Sequence, residues 1–211
     1  MKIAFLGFGN VGGALADHLA RVGHEVTLGA RDASSTSVRE AVARNSKLLV
    51  ASPKEAVAGA EVVFLATPYA ANEAAVRGVL DELRGKVMVD CTNPVGAGLT
   101  HGLGSRTSGS EELEKIAPEV KVVKAFTIYG YENFEDNRFP ESSIKPAMFF
   151  CGRDAEAKKI VAGLIEQLGW EALDTGGIEQ AVHLEHMTLL WIRMVRMGGA
   201  SPHTVWAVLR R

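Results

Sequence analysis

Six residues near the N-terminus constrain this chain more than any other feature. Gly7-Phe8-Gly9-Asn10-Val11-Gly12 directly follows the apolar run Ile3-Ala4-Phe5-Leu6 and opens a stretch with Val11, Leu15, Leu19 and Val22 at helical spacing. A short apolar run ended by glycine reads as a buried strand, and Gly23 stands where a helix would stop. Three glycines at this spacing between strand and helix, within a unit of about 30 residues, form the dinucleotide-binding (Rossmann) fingerprint. Each glycine meets a separate demand. Gly7 permits a tight turn, Gly9 lets backbone approach a diphosphate, and Gly12 lets the helix close on the strand. The helix start then presents unpaired N–H groups and a partial positive charge to that diphosphate.

The alternation continues along the chain. Residues 26–28, 48–50, 62–66, 87–90, 121–126, 147–151 and 171–174 read as strands, and helices are expected over 38–44, 72–83 and 155–168. Ser52-Pro53-Lys54-Glu55 is a helix start in which Ser52 caps, Pro53 suits the first turn and Glu55 completes a capping box. Such alternation predicts an α/β fold, a doubly wound, mostly parallel sheet with C-terminal helices. Residues 1–175 are expected to form the dinucleotide-binding domain, and 176–211 a helical extension packed on it or on a partner subunit. Two segments break the rhythm. Residues 94–109 carry five glycines in a long connection of the kind that is usually functional or mobile. Residues 178–198 read as a long helix with Leu184, Met187, Trp191, Met194 and Val195 on a packing face, a candidate subunit interface. Ser201-Pro202 predicts a short terminal helix.

Bulk properties exclude several classes. The chain has 211 residues, 23 Lys+Arg against 25 Asp+Glu and a formal charge of −2, so nothing points to nucleic acid or an anionic membrane. The first apolar run is too short for a signal peptide, and no stretch approaches the roughly 18 apolar residues of a membrane span. Two cysteines, Cys91 and Cys151, fit a reduced, cytoplasmic protein better than a disulfide scaffold.

The end of the second strand reports on nucleotide choice. An NAD enzyme usually places an acid there for the ribose hydroxyls. Here the residues are Gly29-Ala30-Arg31-Asp32. Ala30 does not repel a 2′-phosphate, Arg31 can clamp one with a planar charged fork, and Ser34 and Ser35 add hydroxyls. NADP(H) is therefore expected over NAD(H), with Asp32 as the contrary sign. The later strand ends carry Ala66-Thr67-Pro68-Tyr69, Asn93-Pro94 and Thr127-Ile128-Tyr129. Ala66, Thr67, Pro68 and Asn93 are placed to position a nicotinamide. No strong catalytic acid or base stands out, there is no Tyr-x-x-x-Lys relay, and no metal site is expected. His183 and His186 read as surface or interface histidines, and Cys91 as core. Reduction of a carbonyl normally needs a proton donor, whereas hydride transfer to a redox cofactor needs mainly proximity and orientation.

The glycine loop, Gly29-Ala30-Arg31, Val122-Val123-Lys124-Ala125-Phe126, Ser108-Gly109-Ser110-Glu111-Glu112-Leu113 and Leu184-Glu185…Leu190-Trp191 together resemble the coenzyme F420-dependent NADP oxidoreductases. That family is similar to the reductase domain of membrane ferric reductases, which uses flavin as second cofactor. The resemblance implies an NADP-binding protein, usually a homodimer, that moves hydride between nicotinamide and a deazaflavin. The expected partner is thus a small-molecule redox acceptor: F420, a flavin or another. Two alternatives remain open, an imine or hydroxyacid reductase of the pyrroline-carboxylate reductase type and a non-enzymatic NADP(H) sensor.

Overall fold

The computed structural model describes residues 1–211. One sheet holds eight strands: β1 (Lys2–Leu6), β2 (Glu25–Gly29), β3 (Leu49–Ala51), β4 (Val62–Leu65), β5 (Val87–Asp90), β6 (Lys121–Lys124), β7 (Ala147–Gly152) and β8 (Glu171–Asp174). Their order is β3-β2-β1-β4-β5-β6-β7-β8. The first six are parallel, linked by crossovers that carry helices to both faces. Strands β4 and β5 are buried along their whole length, as continuous Val-Val-Phe-Leu and Val-Met-Val-Asp runs require when both faces are covered.

β7 departs from this pattern and runs antiparallel to β6 through Val123↔Gly152 and Lys124↔Cys151, then pairs in parallel with β8. The physical reason lies in the connection. Residues 125–146 contain only the one-turn helix Glu132–Glu135, so no full crossover returns the chain to the starting edge.

The chain direction in the sheet reverses between β1, which leads outward to β2 and β3, and β4, which leads the other way. The crevice at the carboxyl ends of β1 and β4 is where open α/β sheets take ligands. Four helices border that crevice: α1 (Asn10–Arg21), α2 (Thr36–Arg44), α3 (Pro53–Gly59) and α4 (Asn72–Arg77). The capping box forms as the sequence suggests: Ser52 Oγ accepts the Glu55 N–H at 3.3 Å and the Glu55 carboxylate accepts the Ser52 N–H at 3.1 Å.

Two helical expectations need correction. The helix expected over 72–83 breaks after α4, and a one-turn helix α5 (Leu80–Leu83) follows. Gly78 holds the helix weakly, and Val79, buried at φ −136°, turns the chain into the core. A second capped helix, α6 (Gly109–Ile116), and the helix α8 (Ala155–Gln167) lie beyond it, with α7 the short turn at Glu132–Glu135. The helix expected over 178–198 runs unbroken through 178–197 but changes pitch: α9 covers Ala181–Ile192, entered through a 3₁₀ turn, Ile178–Gln180, and left through a π turn, Arg193–Met197. Glycines 176, 177, 198 and 199 bound it. Leu184, Trp191 and Val195 of this segment join the same apolar cluster as the sheet, and Met187 packs against it.

No terminal helix forms at Ser201-Pro202. After a turn at Ser201 the tail forms no regular element, because other elements take its backbone groups. Asn133 Nδ2 donates to Pro202 O at 2.7 Å, the Trp191 indole donates to Thr204 O at 2.7 Å, and the Ala147 N–H donates to Trp206 O at 2.8 Å. A helix would have withdrawn those carbonyls into its own ladder.

Candidate active site: a nucleotide crevice above a buried ion cluster

A cleft of about 850 Å³ opens at the reversal point. Its floor is Leu6 to Gly9, one wall is Gly29–Asp32 with Ser35 and Ser37, a second is Ser52–Lys54, and the third comes from Thr67 and the small residues of α4. The glycine loop has the geometry its spacing demands. Gly7 sits at φ +89°, and a Cβ there would lie 2.6 Å from the Ala66 carbonyl carbon and Thr67 nitrogen. A Cβ on Gly12 would overlap Gly7 O and press on Ala66 Cβ at 3.1 Å. Gly9 is different: nothing lies within 4 Å of a Cβ built there, so its hydrogen faces open crevice. Gly9 also precedes α1 without a side chain to cap it, which leaves first-turn N–H groups free. Phe8 and Val11 are half-buried and pack against the core, and Asn10 is exposed.

At the far end of the crevice Arg31 and Lys54 are the cations of the lining. The nearest carboxylate to Lys54 is Glu82, at 3.8 Å. Asp32 is turned onto its own loop, where Oδ1 accepts the Ser34 N–H at 2.8 Å and the Ser34 hydroxyl at 2.7 Å. Those bonds hold the exposed carboxyl below the usual range. Ser34 is thus spent on Asp32 and does not line the cleft, whereas Ser35 does. Ser37 and Lys54 are lining residues that sequence reasoning missed. Lys54 was visible only as part of a helix start, because nothing local shows that α3 begins beside the end of β2.

The strand-end residues divide. Thr67 lines the cleft, with Ala66 half-buried behind it and Pro68 exposed at the rim. Asn93 is held inward: its Oδ1 accepts from Thr127 Oγ1 at 2.6 Å and Thr188 Oγ1 at 3.0 Å, and its Nδ2 donates to Thr127 O at 3.3 Å. It is fixed against α9 and is absent from the cleft lining. Cys91 and Cys151 are buried free thiols. Burial pushes both thiols up, Cys151 to about 12. Tyr129 donates its hydroxyl to Ala147 O at 2.6 Å and is committed there.

Beneath the strand ends lies a cluster that the sequence analysis did not anticipate. Asp90, Lys124, Glu185 and His101 are all buried, the first two completely. Lys124 Nζ lies 2.9 Å from Asp90 Oδ2, 3.0 Å from Glu185 Oε1 and 2.9 Å from Thr92 O, which accounts for its three protons. Asp90 also accepts from Ser110 Oγ at 2.6 Å and from Thr92 Oγ1 at 2.7 Å. Burial alone would raise the Asp90 carboxyl, but the Lys124 ammonium and these bonds outweigh it and hold it below the ordinary value. For Lys124, burial pulls downward and the Asp90 and Glu185 carboxylates win, so its ammonium persists well above the usual lysine range. A polar chain then runs from the cluster to the crevice: Thr92 Oγ1 accepts from Asn72 Nδ2 at 2.7 Å, and Asn72 Oδ1 accepts from Thr67 Oγ1 at 2.7 Å. The available signal was a charge at the end of each continuous apolar strand, Asp90 after Val87-Met88-Val89 and Lys124 after Val122-Val123. A charge in such a run is buried and must find a partner.

Comparison with known proteins agrees with this geometry. The profile of the family described as "NADP oxidoreductase coenzyme F420-dependent" matches residues 2–94. The F420-dependent NADP reductase of Methanothermobacter marburgensis is 30% identical over 210 residues, covering 92% of each chain. Metalloreductase STEAP3 of Rattus norvegicus is 29% identical over 188 residues, and the chain spans 36% of that protein's length. A crystal structure provisionally named as an F420 dependent NADP-reductase, from Arthrobacter sp. fb24, is 32% identical, covers all of both chains and superposes with a TM-score of 0.90. This chain therefore belongs to the coenzyme F420-dependent NADP oxidoreductase family, and its class is that of an NADP-dependent oxidoreductase.

Proposed function

We propose that the crevice binds NADP(H) and that the protein passes hydride between its nicotinamide and a flat ring, a deazaflavin of the F420 type or a flavin. The observation that carries the reading is Gly9, whose missing side chain leaves open space at the uncapped start of α1 while Gly7 and Gly12 are closed in by protein. One chemical class explains this contrast: a diphosphate seated on backbone amides. In this reading Gly7 to Gly12 cradle the diphosphate, and Arg31, with Ser35 beside it, takes the 2′-phosphate. Ala66, Thr67 and Pro68 border the nicotinamide, and Asn93 stiffens that edge from behind. Bound nicotinamide supplies the hydride. The chain supplies position and exclusion of water, because the charged groups at the ends of β5 and β6 are sealed in the cluster and Tyr129 is committed to backbone. That arrangement favours a conjugated ring over a carbonyl or imine, which would need a proton donor in place.

We further propose a cytoplasmic homodimer, with residues 176–211 as the extension that meets the partner. No helix is long and apolar enough to cross a membrane. α9 buries Leu184, Leu189 and Trp191 on its inner side, and Leu190 and Met197 stand exposed on and just beyond it. Sedimentation of wild type against Leu190→Glu checks the dimer, and a monomeric wild type overturns it.

Titration with NADPH and NADH, followed by stopped-flow oxidation of NADPH with F420, FMN and a panel of imines, tests the main reading. Preference for NADPH and turnover with a flat ring support it. Imine-only turnover overturns the acceptor assignment, and tight binding without any turnover favours a sensor.

A further inference from the structure

One carboxylate gathers the middle and the far end of the long connection between β5 and α6. Glu185 Oε2 lies 2.7 Å from His101 Nε2, and Glu185 Oε1 accepts the Gly109 N–H at 2.8 Å while also meeting Lys124. His101 then organises the loop around itself. Its Nδ1 accepts the N–H of Leu103 at 3.3 Å and of Ser105 at 3.2 Å, which places the ring proton on Nε2, facing Glu185. Further contacts come from the same helix and the turn after it. His186 stacks on His101 with centroids 5.2 Å apart, and its Nε2 is 2.9 Å from Ser105 Oγ. Arg193 donates to Gly98 O at 3.2 Å and Leu99 O at 3.1 Å.

The loop needs such restraint. Leu99 and Ser105 hold φ values of 55° and 58°, a conformation that side chains other than glycine adopt only when the surroundings impose it. The loop also has a definite address. It leaves the carboxyl end of β5 and returns at Gly109, where a Cβ would lie 2.9 Å from the Tyr69 ring, and Tyr69 belongs to the turn that follows β4. It therefore runs from the end of β5 to beside Tyr69 near the end of β4, on the side of the crevice away from Arg31. Its few apolar side chains, Val95, Leu99 and Leu103, are exposed or half-buried rather than sunk in the core.

We propose that Glu185 is a positioning residue: through His101 and Gly109 it clasps the loop of residues 95–108 as a fixed wall against which a flat acceptor ring docks beside the nicotinamide. This rests on the reading of the crevice as an NADP(H) site with a planar acceptor. An acceptor must come within about 3–3.5 Å of the hydride in one orientation, and a wall built of mobile glycine-rich chain would not set that orientation. Glu185 reaches no reacting atom. It acts through the backbone it holds.

The test uses the full chain with His101→Phe, which keeps the stack on His186 but removes both hydrogen-bonding nitrogens, and His101→Gln, which retains a donor toward Glu185. Amide exchange at Leu103 and Ser105 reads the clasp. NADPH affinity and the KM and kcat for whichever of F420, FMN or an imine the wild type reduces read the wall. His101→Phe should speed exchange of those two amides at least tenfold, leave the NADPH Kd within twofold and raise the acceptor KM at least fivefold, with kcat falling less. His101→Gln should recover much of the KM. Unchanged exchange in His101→Phe overturns the clasp. Faster exchange with an unchanged acceptor KM, or an NADPH Kd that moves in step with it, overturns the wall. A wild type that binds NADPH but reduces none of the three acceptors refutes the planar-acceptor reading and the wall with it, while exchange still decides the clasp.

Discussion

The crevice rim stands at the ends of β1, β2 and β4 and the ion cluster on the neighbouring β5 and β6 with α9, yet they are built on opposite principles. At the rim, polar capacity is left free: uncapped N–H groups on α1, the guanidinium of Arg31, and open space at Gly9. In the cluster every strong group is satisfied, with Lys124 held by two carboxylates and a carbonyl. Free groups at the surface cost little because water serves them until a ligand arrives. Buried charges have no such reserve, so each must be matched by protein. Binding capacity and rigidity are thereby separated in space and joined only by the chain Thr67–Asn72–Thr92.

The sharpest way to break this contrast is Lys124→Met. It leaves Asp90 and Glu185 buried without their cation, and loss of one partner from a buried pair should cost about 3–5 kcal/mol in chemical denaturation. If the variant unfolds at the wild-type midpoint, the cluster is not a structural keystone. Gly12→Ala comes next. Its Cβ must displace the Gly7 backbone, and overpacking should cost about 1–3 kcal/mol of stability. Gly9→Ala is the companion. It should leave the melting temperature of the free protein almost unchanged while weakening NADPH binding at least tenfold, since its methyl group points into the space assigned to the diphosphate. Equal stability loss in both variants would erase the difference between a packed glycine and a ligand-facing one. Arg31→Ala should cost at least ~1 kcal/mol in NADPH affinity and barely affect NADH. Equal loss for both nucleotides in isothermal titration would sink the 2′-phosphate role.

The smallest effect at neutral pH concerns titration, where the Asp90–Lys124 pair should be silent. The Asp90 carboxyl is depressed, so its contribution is present above the ordinary carboxylate pKa and is lost as pH falls through its lowered value. Lys124 is raised, so its contribution is complete below the ordinary lysine pKa and is lost as pH rises through the elevated one. Stability attributable to the Asp90–Lys124 pair should therefore stay flat across neutral pH and fail only in strong acid and strong alkali. A thermal-melt profile in which Asp90→Asn abolishes a transition near pH 7 would contradict this.

Local sequence encodes the rim and most of the architecture, and the particulars show why. A glycine triplet between a strand and a helix specifies its own turn, and the capping box at Ser52 is complete within four residues. Where local pattern misled, a distant element had taken over. The tail after Ser201 forms no helix because Trp191, Asn133 and Ala147 occupy its backbone carbonyls. β7 reverses because the link before it lacks a full crossover helix.

Whatever closes its hydrogen bonds and periodicity within a few residues is legible in the chain: strand and helix order, the glycine turn that opens α1, the arginine at the end of β2. Only folding brings Asp90, His101, Lys124 and Glu185 together, sets Lys54 on the crevice wall and turns Asn93 inward. The reason is physical. The directly paired groups of the cluster stand 34 to 84 positions apart in the chain and acquire their energies from a shared dry environment, and no local pattern records which of them will share it.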